Sequence, residues 1–98
     1  MITGICIIRL HLPGNESLKE KRRIVKSLIA RVRNQFNVSI AETGDLDLWQ
    51  MATLGISCVS NSNHHADEVI TKAVHFIELS YPELEIVEQE TEIISGPK

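Results

Sequence analysis

Aromatic residues are scarce in this 98-residue chain, which holds one Trp, one Tyr and two Phe. That is too few for the ring-bearing sheet on which many RNA-recognition domains stack bases. Cysteine is rarer still. Cys6 and Cys58 form neither a disulfide framework nor a C-x-x-C metal or redox motif. Both read as buried thiols, poorly reactive without a cationic neighbour to lower their pKa. No apolar run approaches the ~20 residues needed to cross a bilayer. The first apolar stretch, Ile2 to Leu12, is interrupted by Arg9 and His11 and lacks a basic leader and a small-residue cleavage site, so it does not read as a signal peptide. A soluble, cytoplasmic protein is expected. The sequence has no P-loop, dinucleotide glycine fingerprint, G-x-S-x-G elbow or paired-carboxylate signature. The expectation is therefore a protein that is not an enzyme, with no cofactor and no catalytic residues.

Positive charge is present, and it is concentrated. Seven of the ten Lys and Arg residues fall between Lys19 and Arg33, in a chain of net charge −3. Residues 1–37 carry a net +6 and residues 38–98 a net −9. Such a dipole points to a partner rather than to a reaction.

The element pattern frames that charge. From residue 2 to 12 the even positions, Gly4, Cys6, Ile8, Leu10 and Leu12 among them, form an apolar face of a central strand. Pro13-Gly14-Asn15 breaks it, and Ser17-Leu18-Lys19-Glu20 matches a capping box that starts a helix. Leu18, Val25, Leu28, Ile29, Val32 and Phe36 carry the apolar stripe of that helix to about Gln35. Val38 to Thr43 and Ala52 to Ser60 read as a hairpin turning at Gly44-Asp45-Leu46-Asp47. A second helix follows Asn61-Ser62-Asn63 and ends before Pro82, and a last strand runs from Leu84 to about Thr91. The order βαββαβ predicts an α+β, ferredoxin-like domain over residues 1–98, with two helices on one face of a four-stranded antiparallel sheet in spatial order 4-1-3-2.

Within that frame, Phe36-Asn37-Val38-Ser39-Ile40-Ala41-Glu42, Asp47-Leu48-Trp49-Gln50, Thr53-Leu54-Gly55-Ile56 and the Leu-Pro-Gly-Asn-Glu-Ser-Leu-Lys-Glu-Lys-Arg connection give the chain a family resemblance. It resembles the YlxP-like family of small bacterial proteins of unknown function along nearly its whole length. The resemblance implies a ferredoxin-like fold and no established catalytic residues. Genes of that family often neighbour genes for ribosome maturation and translation initiation, which implies, by association, a role around RNA or the ribosome.

At 100° per residue, Lys19, Arg22, Arg23, Lys26 and Arg33 fall within a sector of about 100° on one flank of the first helix. A ridge of this kind can follow a phosphate backbone. It is also readable as a solvated face, balanced by Glu16 and Glu20 or, across the seam between helices, by Asp67, Glu68 or Glu78, and as a contact for an acidic protein surface, another copy of the chain included. With no ring among the outward residues of the central strands, RNA binding would be electrostatic and weakly sequence-selective. On the same open face Ile5, Ile7, Val59 and Val87 form an apolar patch suited to a homodimer, unless the tail from Ile93 to Lys98 covers it. A homodimeric structural or regulatory module with a small ligand or protein partner is the alternative function. Trp49, at the hairpin turn, reads either as a partner anchor or as cover for the open end of the domain's own core or a dimer seam. Glu42 is either solvated or buried against a partner. His64 and His65, with Glu68 one turn on, fall short of a metal site, since His11 and His75 have no spacing that joins them.

Overall fold

The structure, a computed structural model, describes residues 1–97. β1 (Ile2–His11), α1 (Leu18–Gln35), β2 (Ser39–Gly44), β3 (Met51–Ser60), α2 (Asn63–Ser80) and β4 (Glu85–Ser95) follow one another. They form one antiparallel sheet in the order β2-β3-β1-β4, as the pattern predicts. Period-two side chains explain the layers. Gly4, Cys6, Ile8 and Leu10 of β1 and Ala52, Leu54, Ile56 and Cys58 of β3 are buried beneath the helices, while Ile5 and Ile7 face the open side. Both helices begin at a serine. Ser17 Oγ accepts from the Glu20 amide at 3.1 Å, and Ser62 Oγ from the His65 amide at 3.2 Å. Only half of the expected capping box forms, because the Glu20 carboxylate turns towards Arg23 instead, 3.9 Å away.

α2 lies across β1, β3 and β4, whereas α1 packs over β2 and against α2. Gly4 permits the close approach of α2: a Cβ there would stand 2.7 Å from Ile70 Cδ1. In the seam between helices, the Arg31 guanidinium lies 5.1 Å from the Tyr81 ring centre and 5.5 Å from that of Phe76. Cys6 and Cys58 are buried free thiols, each opposite another residue (Ile56 and Gly4, respectively) in the β1–β3 register.

β4 departs from the sequence reading in two ways. It continues to Ser95, so residues 93–95 are strand paired with β1 and do not cover the open face. Gly96 N–H then donates to the Met1 carbonyl at 2.8 Å, carrying the chain on beside β1, and Lys98, the end of the expected tail, lies outside the described residues. The second departure is a bulge. Arg9 pairs with Glu88 but Leu10 with Ile86, which leaves Val87 without a partner. A one-residue slip exchanges the faces of every residue beyond it. Glu88, Glu90 and Glu92 are therefore opposite Arg9, Ile7 and Ile5 on the open face, and Val87 is left at the bulge, 48% exposed.

Candidate nucleic-acid interface

α1 buries Lys21, Val25, Leu28 and Val32. The spacing i, i+4, i+7, i+11 is that of an apolar stripe, yet its first member is a lysine with no exposed surface. Lys21 Nζ donates to the carbonyls of Asp45 (2.7 Å), Met51 (3.0 Å) and, at longer range, Leu46 (3.4 Å). Glu42 Oε2 lies 3.0 Å from the ammonium but outside hydrogen-bonding geometry, so the contact is one of charge. Glu42 is thus the partnered, largely buried carboxylate, one of the two alternatives its sequence position allowed. Lys21 was not anticipated, although its place in the stripe with Val25, Leu28 and Val32 was a readable signal.

The ammonium ties α1 to the β2–β3 turn, and other contacts brace the same turn. Asp45 adopts φ 58°, a left-handed conformation that Asp tolerates. Its Oδ2 accepts from Arg9 Nε at 2.9 Å and from Thr53 Oγ1 at 2.8 Å. These hydrogen bonds hold the Asp45 carboxyl below its ordinary pKa. Asn15 Nδ2 donates to the Trp49 carbonyl at 2.6 Å and to that of Ser17 at 2.9 Å, and Gln50 Nε2 donates back to the Asn15 carbonyl at 3.1 Å.

With Lys21 pointing inward, Lys19, Arg22, Arg23, Lys26 and Arg33 are all exposed, as the helical wheel places them. Their engagements differ. Arg33 Nη2 donates to the Ile40 carbonyl at 2.9 Å, pinning its side chain to β2. Arg23 makes only the 3.9 Å contact with Glu20. Among the described residues, no carboxylate lies within 4.0 Å of Lys19, Arg22 or Lys26. The balancing pairs considered across the helix seam do not form, since Glu68 turns to Lys72 (3.1 Å) and His64 (3.6 Å) on its own helix. Between α1 and β2 the ridge borders a shallow groove of about 390 Å³, with Val25, Ile29 and Ala30 in its wall and Arg22, Lys26 and Arg33 at its rim.

Residues 3–91 match the family described as "Protein of unknown function (DUF503)". The chain belongs to the DUF503 family. It is also similar to the uncharacterized protein YlxP of Bacillus subtilis (strain 168), at 45% identity over 69 residues, covering 70% of this chain and 74% of that one. The family resemblance noted in the sequence therefore holds.

The remaining candidates of this DUF503 chain lie apart from the ridge or at its end. Trp49 is 54% exposed, with Leu46 and Leu48 exposed beside it in the turn, so its ring does not close the core. Ile5, Ile7 and Val59 are exposed on the open sheet face. His64 and His11 each meet a single carboxylate, Glu68 and Glu85, at 3.6 Å. Among the described residues no three His, Cys, Asp or Glu side chains gather as metal ligands, and no helix is long and apolar enough to cross a membrane.

Proposed function

We propose that this protein acts by binding rather than catalysis, as an RNA- or ribosome-associated accessory factor in the cytoplasm that holds the phosphate backbone along α1. The observation that carries this reading is that Lys19, Arg22 and Lys26 stand exposed on one flank with, among the described residues, no carboxylate within 4.0 Å. An isolated surface ion pair contributes only ~0–1 kcal/mol, so leaving these cations unpaired costs the fold little. Each remains available to a phosphate. Arg23, loosely held, adds a fourth cation, while Arg33, fixed on Ile40, serves as a positioned end to the ridge. Because the contacts are to phosphate, sequence selectivity is low and salt dependence is high.

If three phosphates are neutralised, affinity for single-stranded RNA falls roughly 20-fold between 50 and 200 mM salt, from a slope of about −0.7 per phosphate. Fluorescence anisotropy with a labelled single-stranded RNA measures this directly. The triple variant Arg22→Glu, Arg23→Glu, Lys26→Glu should abolish binding at 50 mM salt while leaving the far-UV circular dichroism unchanged. Wild-type protein that shows no binding at 50 mM salt would remove the reading. Homodimerisation, the other function expected from the sequence, draws support from the uncovered face around Ile5 and Ile7, but must accommodate the carboxylates that share that face.

A further inference from the structure

Between Ile5 and Arg9 the open face of the sheet divides lengthwise by chemistry, with Ile94 of β4 adding an apolar residue beyond Glu92. On the β1 and β3 side, Ile5, Ile7 and Val59 are 37%, 51% and 68% exposed, over a floor of small residues such as Gly55 and Ser57. On the β4 side, Glu88, Glu90 and Glu92 stand in file. Residues two apart on one strand face are about 6.7 Å from each other, so the row extends roughly 13 Å. Among the described residues, only Glu88 has a cation nearby, Arg9 Nη1 at 3.8 Å, and Arg9 already holds Asp45 at 2.9 Å. Ile5 and Ile7 join Glu90 and Glu92 in lining a shallow depression between β1 and β4. An exposed apolar strip beside a file of carboxylates with a single weak cation contact among the described residues is half of an interface whose other half is apolar and basic.

We infer that this face binds a cationic amphipathic helix of a partner protein, whose apolar side rests on Ile5 and Ile7 and whose Lys or Arg residues meet Glu88, Glu90 and Glu92. Cations at i, i+4 and i+8 of a helix recur every 6 Å or so, close to the repeat of the carboxylate row. Other occupants fit less well. A second copy related by a two-fold axis across the strands would lay one acidic row on the other. An axis along the strands would instead set the row over Ser39, Ala41 and Thr43 of β2, with no cation to receive it. Among the described residues the basic groups of the face, Arg9 and His11, are already paired with Asp45, Glu88 and Glu85. Carboxylates buried without a partner oppose association, and nucleic acid is repelled by the same row.

The inference is independent of the α1 reading, because it concerns the opposite surface. The probe is an 18-residue acetylated peptide of Leu and Lys with lysines at helical spacing, titrated into ¹⁵N-labelled protein. Its counterpart with Glu in place of Lys is the control. The Leu/Lys peptide should shift the amides of Ile5, Ile7, Glu90 and Glu92 while sparing α1, and the Leu/Glu peptide should not bind. The triple variant Glu88→Gln, Glu90→Gln, Glu92→Gln should weaken binding at least tenfold, as should Ile7→Ser, with both folds checked by their spectra. Shifts scattered over other acidic residues, unchanged affinity in the triple variant, or equal binding of both peptides would overturn the inference. So would a doubled mass in light scattering that Ile7→Glu abolishes, which would identify a second copy as the occupant, or RNA-induced shifts confined to this face.

Discussion

Replacing Lys21 with Met tests how the β2–β3 turn is held to α1. The substitution keeps much of the aliphatic stem but removes a fully buried ammonium. Glu42, with a side chain 15% exposed, loses the cation 3.0 Å away. The carbonyls of Asp45 and Met51 lose donors at 2.7 and 3.0 Å. Deleting one member of a buried pair typically costs about 3–5 kcal/mol, because the other is left charged without compensation. For a domain of this size, at roughly 5 °C per kcal/mol, the midpoint of thermal unfolding should fall by about 15–25 °C. Urea denaturation followed by far-UV circular dichroism gives the corresponding free energy. Glu42→Gln should cost less, since the ammonium keeps its carbonyl acceptors. The double variant Lys21→Met, Glu42→Gln should be more stable than the sum of the single effects implies, with a coupling above about 1 kcal/mol. A loss below about 1 kcal/mol for Lys21→Met, or strict additivity in the cycle, would refute the reasoning.

Two further outcomes follow from the same geometry. The Asp45 carboxyl is held below 3.8 first by the Arg9 hydrogen bond and then by that of Thr53. Its contribution is therefore present above the unfolded-state value and is lost as pH falls through the lower folded-state value. Acid unfolding measured from pH 5 to pH 2 should be steeper in wild type than in Asp45→Asn, and parallel curves would count against the contact. At Gly4, a methyl group would stand 2.7 Å from Ile70 Cδ1 and 3.2 Å from Cys58 Sγ. Gly4→Ala should cost about 1–3 kcal/mol in urea titration, the usual penalty for overpacking, and neutrality would mean that Ile70 adopts another rotamer freely.

How much of this was legible depended on whether local pattern and tertiary setting agreed. β1 announced itself because one face is buried and the other open, and Ser17 because a capping serine followed a Pro-Gly break. β4 was read short because it is an edge strand exposed on both sides over most of its length, so Glu90-Thr91-Glu92 shows no apolar alternation. Its extent is set by pairing with β1, which local sequence does not express. The bulge at Val87 is likewise a property of two strands together. Unbroken alternation from Leu84 places Val87 outward and Glu88, Glu90 and Glu92 under the helices; the slip spares three carboxylates from burial and brings Ile93 within reach of Gly4. Glu42 was readable as a carboxylate in want of a partner. Lys21 was hidden by its company, since a lysine among six other basic residues counts towards a surface ridge until its register with Val25 is considered.

The buried lysine also governs where the exposed ones point. Were position 21 apolar, side-chain packing alone would oppose a roll of the first turn of α1 about its axis. An ammonium tied to the carbonyls of Asp45 and Met51 does not tolerate that roll, because hydrogen-bond energy falls steeply with misalignment. The setting of the helix is thereby fixed near its first turn, and Arg33 on the Ile40 carbonyl fixes it again near its last. Between these two points Arg22 and Lys26 face sideways towards β2, on the rim of the α1–β2 groove. Acidic Glu88, Glu90 and Glu92 project from the strand at the other edge of the sheet and from its other face. The exposed cations of α1 and the carboxylate row of β4 thus lie on two separate surfaces, and a phosphate chain and a basic helix could be bound at once without competing.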